Sequence, residues 1–194
     1  SSLLTLRNIM LKILDIKSYL ELPLSNVVIR LAEDANDFKA ARSLCQEWLD
    51  WHWRHYPNDW PTGPDHPMDP SQFEAIMQNL PSLHEPPGGI LIGLVDGQAV
   101  GCVMYHEAEP GVAEFNRLYV NEKGRGRRLG LRMLEAMFAR LSVNGFHKVF
   151  FTSATFLTHA RVMYETAGFV EIPHPPEFPT EWLDKTYFME RHIK

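Results

Sequence analysis

Residues Arg125-Gly126-Arg127-Arg128-Leu129-Gly130 set three guanidinium groups and two glycines between a β-branched run ending at Val120 and an apolar-periodic stretch from Leu131. Amides in the first turn of a helix have no carbonyl to meet, and the peptide dipoles there favour anions. Glycines let a phosphate approach the backbone closely. Lys123 adds a fourth base in a chain whose formal net charge is −5. The segment therefore predicts a site for a di-anionic phosphate ligand. It is not a G-x-x-x-x-G-K-[ST] loop, because five residues beyond Gly124 and Gly126 stand Leu129 and Leu131. A dinucleotide G-x-G-x-x-G fails at Leu129, with the third glycine one place late at Gly130. The next strand, residues 148–152, also has no acid at its end for a ribose.

A second concentration of chemistry lies at His52 and His55, beside Trp48, Trp51, Trp53, Tyr56 and Trp60. An H-x-x-H pair can ligate metal, but no third ligand stands near, so no metal site is expected. The rings suit either packing or contact with a cation, with Asp50, Asp59 and Asp65 adding negative charge.

These residues need elements to hold them. Residues 27–30 read as a strand, 34–53 as a helix with Ala40, Leu44, Trp48 and Leu49 on its apolar face, and 57–70 as a proline-broken loop. Ser71 caps a helix running to about Leu80. A three-strand meander follows: 90–95, an Asp96-Gly97 hairpin turn, 99–106, then 112–120. Beyond the basic turn come a helix ended by Asn144-Gly145, a strand at 148–152, a helix at 158–167, and strands at 169–172 and 186–191. This order is a mixed α/β domain, not a regular βαβ array. Residues 1–25 form an added segment, with Leu3, Leu6, Met10, Ile13 and Leu20 at helical spacing. Arg7, Lys12, Asp15 and Lys17 interrupt it, which argues against a membrane span or a signal peptide. A helix packed on its own domain, a homodimer contact and a membrane-surface helix remain open for it.

The 194 residues, 45% apolar, are enough for one domain with an appendage. The acidic balance argues against a nucleic-acid partner. Two cysteines, Cys45 and Cys102, make no disulfide framework and fit a reducing, cytoplasmic setting.

Three segments together carry a resemblance: Ala113 to Val120, the basic turn, and Ala160-x-x-x-Tyr164-Glu165-x-x-Gly168-Phe169. They resemble the GNAT superfamily of acetyl-CoA-dependent N-acetyltransferases over residues 27–192. The family's middle glycine is Arg128 here, and its frequent Asn seven before the tyrosine is Leu157. The resemblance implies a central, mostly antiparallel twisted sheet with helices on both faces, splayed at the cofactor-binding strand. It implies that Leu118, Tyr119 and Val120 pair with the pantetheine arm, and that Arg125, Gly126, Arg127, Arg128, Leu129, Gly130 and Leu131 hold the pyrophosphate. Tyr164 matches the tyrosine that protonates the leaving thiolate. Glu114, six residues before Val120, matches the general base, and a two-residue period puts Glu114, Asn116, Leu118 and Val120 on one face. The first helix and the proline loop fall where the family varies its acceptor site, which makes Trp51, His55 and Trp60 candidates for amine contact. Glu177, Glu181, His106 and His159 are further candidates. The expected activity is acetyl transfer to a primary amine of a small molecule, peptide or protein. A non-catalytic acyl-CoA-binding module and a nucleotide-dependent oxidoreductase are the alternatives.

Overall fold

A computed structural model describes residues 26–62, 66 and 69–194. The amphipathic helix expected within residues 1–25, its dimer contact and Asp65 lie outside them. Seven strands form one sheet in the order β1-β2-β3-β4-β5-β7-β6. They are β1 (Val27–Leu31), β2 (Gly89–Val95), β3 (Gln98–Glu109), β4 (Val112–Val120), β5 (Lys148–Ala154), β6 (Val170–Ile172) and β7 (Thr186–His192). Every pairing is antiparallel except β4 with β5. The Asp96-Gly97 turn has positive φ at both residues, 50° and 81°, as a tight two-residue hairpin requires.

Helices cover both faces. On one lie α1 (Ala35–His55), α2 (Pro70–Gln78) and α3 (Leu80–Leu83); α4 (Leu129–Val143) and α5 (Thr158–Thr166) cover the other. The helix expected through Leu80 is broken in two, because Pro81 has no N–H to continue it and opens α3 instead. α1 turns Ala41, Leu44, Cys45, Leu49 and His52 inward; Ala40, expected on that face, is only half-buried. α4 buries Leu129, Met133, Leu134, Met137, Phe138 and Leu141, a stripe at helical period against β2, β3 and β4.

An ion pair ties α1 to the edge strand. Arg30 donates two hydrogen bonds to Asp37, at 2.6 and 2.8 Å, and the Glu33 amide donates a third at 2.9 Å. The Arg30 guanidinium holds the Asp37 carboxyl down at about 2. Its folded-state value is depressed, so its stabilisation is present above the ordinary value of 3.8 and is lost as pH falls toward about 2. The melting temperature should drop over that window, and Asp37→Asn should flatten the drop. An identical acid profile in the variant would contradict this.

Candidate functional site

β4 and β5 pair at only three positions, Val112↔Lys148, Ala113↔Val149 and Glu114↔Phe150, and then part. β4 stays paired to β3 as far as Val120, so its other edge, residues 115–120, runs open along the gap. Glu114 stands at the fork.

The strand also changes face. Ala113 and Phe115 belong to the core under α4 and α5, and so do Leu118 and Val120, while Tyr119 packs on the α1 side. An even two-residue period cannot give that pattern. The register supplies the reason: Cys102 faces Tyr119 and Met104 faces Asn116, so Arg117 and Leu118 together oppose Val103. This is a β-bulge, with Arg117 in the left-handed region at φ 52°. The expectation that Glu114, Asn116, Leu118 and Val120 share one face is therefore corrected. Glu114 and Asn116 lie with α1; Leu118 and Val120 lie with α4 and α5.

At the far end of the gap, a short 3-10 turn (Glu122–Gly124) leads into α4. The first helical amide to find a carbonyl is that of Arg132, which donates to Arg128 at 3.1 Å. The amides of Leu129, Gly130 and Leu131 thus form the unpaired first turn. Arg128 is the N-cap at φ 53°, ψ 26°. This is a left-handed position, which explains why glycine would suit it, and the arginine adopts it at a cost of roughly 1 kcal/mol. The guanidinium of Arg127 is spent inside the turn, donating to the carbonyls of Lys123 at 3.0 Å and Arg125 at 3.2 Å. Lys123, Arg125 and Arg128 are exposed. A Cβ on Gly130 would come within 2.7 Å of Met163 Sδ, so the glycine lets α4 sit close against α5.

Tyr164 is 7% exposed, with its ring 4.2 Å from Phe151 and 5.7 Å from Phe115. Burial pushes its hydroxyl well above the ordinary tyrosine range, and Tyr187 adds to the shift. It holds its proton firmly. Leu157, where the family often has Asn, is the N-cap of α5 and gives no side-chain cap bond.

On the α1 face, His106 sits across the ladder from Glu114, with Nε2 at 3.5 Å from the carboxylate and both side chains 35% exposed. His84 packs edge-on to His106 at 6.1 Å, and its Nδ1–H donates to the Tyr105 carbonyl. Burial above all holds His84 down to about 4, so it is neutral.

The aromatic candidates divide. Trp60 joins a cluster with Tyr56, Phe156 and Trp182, at 5.4 to 6.5 Å. His52, 5% exposed, packs in the same cluster against Trp48, Trp53, Tyr56 and Phe156. Burial draws it down to about 4, and among the described residues both ring nitrogens lack hydrogen-bond partners. Tyr56 donates to the Pro61 carbonyl at 2.6 Å and accepts from His66 Nε2 at 3.0 Å. Trp51 and His55 instead stack on each other at 4.2 Å on a neighbouring face of α1. Asp50 accepts from Gln46, Asp59 is exposed, and neither belongs to the ring cluster. Among the described residues no group of three or more potential ligands could hold a metal ion. No helix of those residues is long and apolar enough to cross a membrane.

Sequence reasoning missed Phe156, Trp182, His84 and Arg117. The first three reach the site through loops with no local signal. Arg117 had one: the polar pair Asn116-Arg117 interrupts an alternating strand, and that is where the bulge falls.

A sheet forked between a parallel pair, with an unpaired helix start at the gap, is the architecture that the resemblance to the acetyltransferases implies. The acetyltransferase (GNAT) family matches residues 45–169, and the chain belongs to that family. It is 28% identical over 144 residues to an uncharacterized N-acetyltransferase of Schizosaccharomyces pombe, covering 73% of this chain and 79% of that one. An acetyltransferase of the family from Staphylococcus aureus superposes with a TM-score of 0.67 at 13% identity, covering 87% of this chain and all of that one. The Salmonella typhimurium protein yncA, solved with its cofactor acetyl-CoA, gives 0.58 at 18% identity over 87% and 94% of the two chains. The ribosomal-protein-S18-alanine N-acetyltransferase of Escherichia coli gives 0.60 at 16% identity over 87% and 95%. These three likenesses show the shared fold. Family membership removes the oxidoreductase alternative.

Proposed function

We propose that the protein transfers an acetyl group from acetyl-CoA to a primary amine by direct attack in a ternary complex. The observation that carries this reading is the fork: an open β4 edge, bounded by the unpaired first turn of α4 at one end and by Glu114 at the other. The residues fit the co-substrate. The open edge at Leu118, Tyr119 and Val120 offers backbone groups to an amide-bearing arm. The amides from Gly126 to Leu131, with the exposed charges of Arg125 and Arg128, suit a pyrophosphate, while the Arg125 amide donates to the Glu122 carbonyl at 3.3 Å. Acetyl-CoA would supply the acetyl thioester.

Glu114 takes the proton that the attacking amine must lose, because only a neutral amine is nucleophilic. Tyr164 keeps its own proton, so it stabilises the leaving sulfur as a hydrogen-bond donor without ionising fully. The side of the fork under α1, with Trp60 and the surrounding rings, is the acceptor's approach; Trp51 and His55 stand beside it. The buried, free Cys45 and Cys102 suit a reducing cytoplasm.

Tyr164→Phe should lower kcat on the order of 10²-fold, as loss of one aimed donor does elsewhere, with the fold retained. Unchanged turnover would remove Tyr164 from the mechanism. The reading as a whole is tested by thiol release from acetyl-CoA against amino acids, polyamines, aminoglycosides and lysine peptides. Release with one acceptor class is expected. Binding of acetyl-CoA without release by any amine would support the non-catalytic module instead.

A further inference from the structure

Arg117 carries two costs at one residue. Its backbone is left-handed at φ 52°, and its guanidinium is largely withdrawn from water. Burial of that cation draws its pKa below the ordinary arginine value. Among the described residues no carboxylate lies within ion-pair distance of it. Its hydrogen bond goes to the neutral Asn116 Oδ1, at 2.8 Å.

Among the described residues, the groups that act on its charge are the thiols of Cys45 on α1 and Cys102 on β3, the neutral imidazole of His84 after α3, and the Glu114 carboxylate on its own strand; Glu114 favours the cation without reaching ion-pair distance. The hydrogen bond with Cys45, and burial after it, keep Cys102 protonated. Glu114, the one anion in this group, has His106 as its contact. A cation drawn out of water with no carboxylate in contact is costly for a fold to keep. Strained, desolvated positions of this kind gather where a ligand completes them.

Past the bulge Arg117 lies near Cys45 of α1 and Cys102, on the α1 side where Glu114 stands three residues earlier, one positive and one negative beside the fork. That pattern is complementary to a molecule carrying a positive and a negative group a few atoms apart. Building on acetyl transfer as the activity, we propose that the acceptor is a small amine bearing a carboxylate, of the free amino acid class. Arg117 binds the carboxylate while Glu114 receives the amine proton. A fork-shaped guanidinium matches the two carboxylate oxygens, and the Asn116 amide oxygen holds it in place.

The test compares free amino acids with their own carboxamides, which keep the amine and remove the negative charge. In the wild-type enzyme with acetyl-CoA, kcat/KM for the acid should exceed that for the amide by roughly 10–100-fold, the range of one charge-assisted contact. In Arg117→Gln the preference should collapse toward parity, through KM for the acid. A far-ultraviolet circular dichroism spectrum matching wild type shows that the variant is folded. Arg117→Lys should keep part of the preference. Three results would overturn the proposal while leaving acetyl transfer standing: equal use of acid and amide by the wild type, an unchanged preference in Arg117→Gln, or turnover confined to polyamines or peptide amino termini. No thiol release with any amine would overturn acetyl transfer, and this proposal with it.

Discussion

Glu114→Gln is expected to lower kcat by ~10²–10⁴-fold at neutral pH, the usual contribution of a positioned base. The KM for acetyl-CoA should move little, because the amides and charges of the Arg125–Leu131 turn lie at the other end of the open β4 edge. The deficit should shrink as pH rises. A free alkyl amine near pKa ~10 loses its own proton more often at high pH, and then needs no base. The signature is a variant whose rate keeps climbing with pH where the wild type has levelled. A pH-independent ratio of the two rates would make Glu114 a structural carboxylate at the fork. Replacement by glutamine leaves a side chain of the same shape facing His106, so loss of fold is not the expected cause.

Phe151→Ala should be the most damaging change to stability. Phe151 is 2% exposed, and its ring meets Tyr164 at 4.2 Å, Phe115 at 4.5 Å, Phe169 at 5.1 Å and Tyr187 at 6.3 Å. Truncating a buried phenylalanine costs about 3–5 kcal/mol, through lost transfer energy and the cavity left behind. Domains hold only ~5–15 kcal/mol in total. Chemical denaturation should therefore show a greatly lowered midpoint. The same ring braces Tyr164 and lies one residue beyond the last β4–β5 pair. Turnover should fall with stability even where the variant remains folded. A midpoint within ~1 kcal/mol of wild type would mean that the rings collapse to refill the space.

Much of this fold was legible in the residues. The Asp96-Gly97 hairpin, β4, and the helix stripe at Leu134, Met137, Phe138 and Leu141 follow from turn chemistry and period, whereas Leu131, expected on that stripe, is half-buried and Leu129 and Met133 are buried instead. The turn into α4 was legible because its chemistry is local: consecutive amides and charges at one helix start. What failed was whatever depended on pairing between distant segments. The bulge at Arg117 reversed the face of half a strand, and a single inserted residue is enough to do so. Trp60 and Trp182 meet across more than a hundred residues of chain, and no periodicity relates them. Trp51 and His55 resemble the cluster residues in type and nearness in sequence alone. On a helix they sit one turn apart and stack on each other, while His52 and Tyr56 take the cluster side. The Arg128 departure turned out to be tolerated geometry, since an arginine holds the left-handed N-cap that glycine would take more easily.

Acetyl transfer from thioester to amine at the β4–β5 fork, as proposed above, has a direct chemical readout: mass spectrometry of the acceptor after incubation with acetyl-CoA deuterated in its acetyl group. The intact deuterated acetyl group is expected in an amide of the acceptor, formed by the wild type and nearly lost in Glu114→Gln. Label recovered only as unreacted acetyl-CoA or free acetate, with every amine returned at its original mass, would contradict it.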